Sequence, residues 1–403
     1  MNSANKYKVH RFVLASGERY CLLLDRATGL PLFYPNLYVT TQVRNRSLSL
    51  AAMQAALSAI QVLLNLCDEQ AIDLVSRFRD GKLLAINEFD SIRDACQTRL
   101  DQHFPERRSD INDVATITEY NRLSDISKYC VWLAQVVGSD ISDQELMNLQ
   151  NRFETRRPPA KRRTQLKRRK ALTDQQLDLL FEVIRPGSQF NPFKDEDIQV
   201  RNRLIVLLLV HLGQRGGEIL NLRLCDFDWG NNQLVIARRA DEPSDPRTDQ
   251  PLVKTLDHML WIHSQLTSAI RDYCILFRKK IPNARRHDYL FVTHKKGPYQ
   301  GQPLSKSGFR RVIQDIASTL PQLGVLHGHL FRHTWNDRFS RHMDSMDNPP
   351  SERIQETIRS YLQGWMPDSG TSATYNKRFV EQKAMQAGLA MQQSIINSPS
   401  TLK

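Results

Sequence analysis

The chain has 403 residues, with 56 Lys and Arg against 43 Asp and Glu, a formal charge of +13 and a pI near 9.5. That length exceeds one ordinary core and predicts two or three domains. The positive excess points to a polyanionic partner, nucleic acid first and an anionic membrane surface second.

Apolar residues make up 40% of the chain and the mean hydropathy is −0.48, which predicts packed cores in a soluble protein. The longest apolar run, Leu204–Leu212, is short and ends at Gly213, so no membrane span is expected. The opening residues Met1–Lys6 have no apolar h-region, and no signal peptide is expected. Six cysteines (Cys21, Cys67, Cys96, Cys130, Cys225 and Cys274) are scattered without a Cys-x-x-Cys. That pattern argues against a disulfide framework or zinc ribbon and predicts a protein of a reducing cytoplasm.

In chain order, residues 1–45 read as a small β element of unknown role. Tyr20–Leu24 and Tyr38–Val43 are rich in strand formers, and Asp25-Arg26-Ala27-Thr28-Gly29 is a turn signal. From Ser47 the apolar residues Leu50, Met53, Leu57, Ile60, Leu63 and Leu64 recur at helical spacing, with Ser49 as the expected N-cap. Helical patterns continue through Glu69–Arg79, Asn121–Val137 and Asp143–Phe153. Residues 46–155 thus predict an all-helical domain.

Residues 156–171 read as a basic linker. Nine cations fall there: Arg156, Arg157, Lys161, Arg162, Arg163, Lys167, Arg168, Arg169 and Lys170, with Pro158-Pro159 among them. Such a run is either a solvated tether or a strap across a phosphate backbone. In a basic chain the strap is the preferred reading.

A further domain, residues 172–396, begins with Thr173 and Gln176 in capping-box spacing. Helices are expected around Leu177–Ile184 and Asp197–Leu212. A hairpin turns at Asp226–Asn232 into the strand Gln233–Ala237, and Leu252–Thr255 begins another strand. Met343–Pro350 reads as a polar loop, Lys383–Ile396 as an amphipathic helix and residues 397–403 as a tail.

Three constellations carry chemistry. In Gly213-Gln214-Arg215-Gly216-Gly217-Glu218, an arginine at a helix start has Glu218 three residues on, able to hold its guanidinium or merely to form a surface ion pair. In His327-Gly328-His329-Leu330-Phe331-Arg332-His333, His329 and Arg332 share one helix face. His329 and His333 also have metal-pair spacing, but no glutamate stands between them and no further ligand cluster accompanies them, so no metal is expected. Packed or capping histidines are the plain alternative. Last, Tyr375 follows the Gly- and Ser-rich stretch after Gly364-Trp365.

Taken in order, Arg-x-x-Glu after a glycine turn, His-x-x-Arg-His, Gly-Trp and a late tyrosine resemble the tyrosine recombinase (phage integrase) family. The resemblance covers roughly residues 172–385. It implies a mainly α fold with a small β-sheet, in which a helical core-DNA-binding domain precedes the catalytic domain. It implies that Arg215 and Arg332 grip the scissile phosphate. Arginine suits that task because its planar fork binds phosphate bidentately and stays charged. His329 is implied as acid/base or phosphate donor. Trp365, standing where many members have histidine, can donate an N–H but cannot move a proton. Lys254, in Val253-Lys254-Thr255, is implied as the acid that protonates the leaving 5′ oxygen, a task open to an ammonium and closed to a guanidinium.

Tyr375 is implied as the nucleophile. Tyr361 precedes Gly364-Trp365, out of the family's order, and is read as a packing residue. A phosphotyrosyl bond conserves the phosphodiester energy, so no cofactor is expected. The implied partner is double-stranded DNA at specific sites, bound by four protomers on two sites, the free chain being a monomer or weak oligomer. The helix after Tyr375 would pack on its own domain or dock on a neighbour. A non-catalytic DNA-binding regulator and a type IB topoisomerase are the alternatives. The first would not need Arg215, His329, Arg332 and Tyr375 together.

Overall fold

In a computed structural model of the chain, Tyr7–Val13 (β1) and Arg19–Asp25 (β2) pair antiparallel, from Tyr7 opposite Asp25 to Val13 opposite Arg19. The structure describes residues 5–46, 49–98, 114–159, 171–366, 385 and 387–392. It divides into two compact units, Met1–Lys167 and Arg168–Lys403.

In the first unit β2 alternates, burying Cys21 and Leu23 in the core it shares with the helices. The expected second strand at Tyr38–Val43 is not one. Phe33–Tyr38 is a helix (α1), continued by a π-helical stretch over Val39–Arg44. Three contacts overcome the β-branched propensity there. Asn36 pairs with β2 through its side chain, accepting from the Leu23 N–H at 2.8 Å and donating to the Leu23 carbonyl at 3.0 Å. Thr40 and Thr41 turn their hydroxyls back onto the Asn36 and Leu37 carbonyls at 2.7 and 2.8 Å. Tyr38 is buried edge-on against Tyr129, ring centroids 5.4 Å apart.

The remaining helices of this unit are Leu50–Glu69 (α2), Leu74–Arg79 (α3), Ile86–Gln97 (α4), Thr116–Val137 (α5) and Asp143–Glu154 (α6). Ser49 caps α2, accepting from the Ala52 N–H at 3.4 Å. By length and composition α2 is apolar enough to cross a membrane, contrary to expectation; its apolarity is spread over alanines rather than one run. It is the central helix of this core, with Leu57, Ile60 and Leu63 buried alongside Leu123, Ile126 and Leu133 of α5. The helix expected over Glu69–Arg79 is broken. Ala71 has a φ of 53°, and Asp73 starts α3 by capping the Ser76 N–H at 3.0 Å.

The second unit holds Asp174–Val183 (α7), Glu196–Leu212 (α8) and Gly216–Leu220 (α9), then the strands Phe227–Asp228 (β3), Gln233–Ile236 (β4) and His258–Trp261 (β5). Helices Ser264–Asp272 (α10), Lys306–Ala317 (α11), Gly328–Asp344 (α12) and Glu352–Gln363 (α13) follow. The Thr173–Gln176 capping box closes as its spacing predicts. The strands form one antiparallel sheet in the order β3-β4-β5, with Gln233 opposite Trp261 and Ile236 opposite His258. The strand expected from Leu252 starts only at His258, because the Leu256 N–H bonds to the Gly364 carbonyl at 2.8 Å instead of to a ladder. One core joins α7, α8, the sheet and α11, with Leu180, Ile205, Leu208, Leu234 and Ile316 each fully enclosed. The mainly α architecture with small sheets is the one the sequence predicts.

Candidate active site

The site is built outward from the end of α8. Gly213 sits there with a φ of 65°, closing the helix through its N–H to the Leu209 carbonyl at 3.1 Å. A Cβ at this position would lie 2.5 Å from Cγ of Trp335, so α12 also requires glycine there. The chain reverses, and Arg215 becomes the extended residue that opens α9.

Glu218, three residues into that turn, is fully buried and acts as the hub. It accepts the Arg215 backbone N–H at 2.6 Å and the Arg215 guanidinium at 3.0 Å. Thr255 donates its hydroxyl to the same carboxylate at 3.1 Å, and Arg332 Nη1 lies 3.5 Å away. A buried carboxylate is tolerated only when its charge and lone pairs are met, and here two arginines and a hydroxyl meet them. The i,i+3 pair is therefore no ordinary surface ion pair.

Arg332, on α12, is also fully enclosed. It donates to the Gly213 carbonyl at 3.2 Å and the Gln363 carbonyl at 3.1 Å, and its guanidinium carbon lies 5.2 Å from the Trp365 ring centroid. Arg215 keeps 28% of its side chain exposed, so an anion reaching the pair meets Arg215 first. Trp365 is buried after Gly364 ends α13 at a φ of 60°. Gln214 ties this turn to α8, its amide donating to the Leu212 carbonyl at 3.2 Å and the Leu362 carbonyl at 3.0 Å. The structure thus gathers Arg215, Glu218, Arg332 and Trp365 into one cluster.

Lys254 is exposed, between buried Val253 and buried Thr255. Its neighbour's bond to Glu218 anchors it beside the cluster. His329 is exposed in the first turn of α12, and its ring meets that of His333 edge-on at 4.5 Å. The helix is capped by neither of these but by His327, two residues before His329, whose Nδ1 accepts the Leu330 N–H at 3.1 Å. Tyr361, expected to pack, is instead 52% exposed on α13, because its helix buries Arg359 and Gln363. Tyr375 lies outside the described residues.

Sequence reasoning missed His258, at the start of β5. It is buried, with Nδ1 2.9 Å from the Leu256 carbonyl. Burial holds its pKa below the ordinary histidine value. The Leu256 hydrogen bond and the Glu218 and Asp257 charges oppose that shift, while Arg332 reinforces it. A titratable residue four positions after the candidate lysine was the available signal.

Among the linker cations, Arg156 and Arg157 belong to the packing of the first unit. Arg156 bonds Asp90 at 2.8 Å and lies over the Phe89 ring at 5.2 Å; Arg157 pairs with Glu154 at 3.6 Å. Lys161, Arg162, Arg163, Lys167, Arg168, Arg169 and Lys170 lie outside the described residues. In the expected C-terminal helix, residues 385 and 387–392 are helical, and Met385, Leu389 and Met391 are exposed.

Comparison with known proteins places the same region. Residues 170–347 match the phage integrase family model. Transposase A from transposon Tn554 of Staphylococcus aureus is 29% identical over 191 residues, which are 45% of this chain and 48% of that protein. Tyrosine recombinase XerD of Halalkalibacterium halodurans is 23% identical over 166 residues, 41% of this chain and 46% of that protein. The chain spans about half the length of the curated relatives it matches. The crystal structure of the XerH site-specific recombinase bound to its difH substrate, a pre-cleavage complex, shares the fold with a TM-score of 0.51 and 15% identity, covering 84% of this chain and 80% of that one. The Arg215–Glu218–Arg332–Trp365 cluster lies inside or borders the matched region, and it is this region, residues 170–347, that is similar to the phage integrase, or tyrosine recombinase, family.

Proposed function

We propose that this protein is a site-specific recombinase that cuts and rejoins DNA strands through a 3′-phosphotyrosyl intermediate, moving a mobile element in or out of a larger DNA. The observation that carries the reading is the buried Glu218 carboxylate, which holds Arg215 and Arg332 together beside Trp365 and next to the Lys254 segment. Two fixed guanidiniums match the non-bridging oxygens of a phosphodiester and the charge that grows on phosphorus during displacement. The relatives named above as a transposase and recombinases support the same reading.

In the proposed cleavage, Tyr375 Oη attacks phosphorus, the bond to the 5′ oxygen breaks, and Lys254 gives that oxygen a proton. Arg215, Arg332 and the Trp365 N–H bind the phosphate, with His329 at the mouth as acid/base or donor. A tyrosine phenol has an ordinary pKa near 10, so the cationic field must favour its phenolate. The freed 5′ hydroxyl of the partner duplex then attacks the phosphotyrosine, forming the new phosphodiester as the bond to Tyr375 Oη breaks and the phenol regains its proton. Residues 46–155 would clamp the core DNA, the 156–171 segment would follow the phosphate backbone, and four protomers would act on two sites in the cytoplasm, at the nucleoid.

The test is a nicked suicide duplex carrying the element ends, incubated without ATP and with EDTA, and read as a covalent protein–DNA band on a denaturing gel. Wild type should give the band and Tyr375→Phe should lose it. A band that persists in the variant moves the nucleophile elsewhere. Tight, salt-sensitive binding without any band overturns the catalytic reading.

A further inference from the structure

The segment that carries Lys254 is fastened at three successive points. Thr255 is bonded to Glu218 through its hydroxyl at 3.1 Å. The Leu256 N–H is bonded to the Gly364 carbonyl at 2.8 Å. His258 then folds back, its Nδ1 2.9 Å from the Leu256 carbonyl. A carbonyl accepts only a donor, so Nδ1 carries the proton. In the neutral ring, the form that burial favours, Nε2 is then the unprotonated nitrogen, and among the described residues no hydrogen-bond partner meets it.

Gly364 gives the ring its seat. A Cβ at that position would fall 2.4 Å from His258 Nδ1 and 2.8 Å from the Leu256 carbonyl. The imidazole therefore fills the space a side chain at 364 would occupy, and wedges the Lys254 segment against the turn that leads into Trp365. The charged groups that act on it are Glu218, Arg332 and Asp257. A neutral ring is the form that stands beside Arg332 without repulsion.

We infer that His258 is a positioning residue of the cleavage step, locking residues 254–257 to the Gly364-Trp365 turn so that the Lys254 ammonium is aimed at the leaving 5′ oxygen. This rests on the recombinase reading and on Lys254 as its acid. The balance of the step supplies the test. An oxygen leaving group must take a proton from Lys254 as the P–O bond breaks. A sulfur in the same bridging position leaves as a thiolate and needs none.

The experiment compares the full chain with His258→Ala, His258→Asn and Lys254→Ala on two suicide duplexes, one ordinary and one with a 5′-bridging phosphorothiolate at the cleavage site. The asparagine amide can occupy the place of Nδ1–H. His258→Ala should slow adduct formation on the ordinary duplex on the order of 10- to 100-fold, the range a misplaced catalytic group costs. On the sulfur duplex it should run within a few-fold of wild type, as should Lys254→Ala, and His258→Asn should recover most of the ordinary rate. Equal slowing of His258→Ala on both duplexes overturns the inference, because the pocket as a whole has then been damaged. An unchanged rate on the ordinary duplex overturns it too, and so does a Lys254→Ala defect that sulfur does not relieve. A wild type that forms no adduct on either duplex sinks the recombinase reading itself, a different failure.

Discussion

His294 has its side chain fully enclosed, with Nδ1 2.8 Å from Asp197 Oδ2 and Nε2 3.1 Å from the Tyr273 hydroxyl. Burial lowers its pKa to about 4, and Arg201 pushes the same way; the Asp197 carboxylate opposes them and loses. The unfolded chain would protonate it near 6.5, so between pH 6.5 and about 4 the unfolded state holds more protons than the folded one. The stability supplied by the neutral ring is thus complete above pH 6.5 and lost as pH falls toward 4, in all roughly 3 kcal/mol. Burial lowers His211, His258 and His287 as well, which adds to the same trend. Urea midpoints of the second unit, followed by tryptophan fluorescence, should fall steadily over this window, and His294→Gln should flatten part of the slope. A midpoint that stays level from pH 6.5 to 4.5 contradicts the assignment. None of this was legible beforehand, because His294 becomes special only through the burial that α8 and the stretch after α10 impose on it.

At the scale of elements, the boundary between α8 and α9 decides where Arg215 and Glu218 stand. Gly213 is needed twice, for a φ of 65° and for contact with Trp335. Gly213→Ala should destabilise the second unit by about 2 kcal/mol or more, combining the left-handed strain with overpacking against the indole. Chemical denaturation reads the loss directly. Adduct formation should fall further than the unfolded fraction explains, since Arg215 is placed by this turn; parallel loss of both would show that the turn only stabilises. The turn, the capping box at Thr173 and the β3–β4 hairpin were legible because each is specified by residues within a few positions. Tyr38–Val43 was misread because its propensity is extended while its environment is helical. Asn36, Tyr129 and the threonine hydroxyls outweigh a preference worth a few tenths of a kcal/mol per residue.

For the whole molecule, which carries a charge of +13, the proposed DNA binding should weaken as salt rises. Each phosphate neutralised on duplex DNA contributes about −0.9 to the slope of log affinity against log salt. Replacing Lys161, Arg162, Arg163, Lys167, Arg168, Arg169 and Lys170 with glutamine should therefore make the slope shallower by several units if the segment follows the backbone. It should leave the slope within about one unit if it is a plain tether. Fluorescence anisotropy on one duplex between low and moderate salt separates the two.

By itself the sequence determined the resemblance to the phage integrase family and the positive charge that favours a polyanionic partner, because Arg215, Glu218, His329, Arg332, Trp365 and Tyr375 form a spaced pattern that survives without coordinates. It also set the capped helices, whose signals are local. Only the tertiary structure decided that Glu218 is a buried hub for two arginines and Thr255, that Arg332 is enclosed while Arg215 stays open, and that His258 wedges the Lys254 segment. Those facts depend on groups up to about a hundred positions apart being brought to hydrogen-bonding distance. Burial then sets the worth of each charge, and burial is a property of the packed chain rather than of any residue's neighbours in sequence.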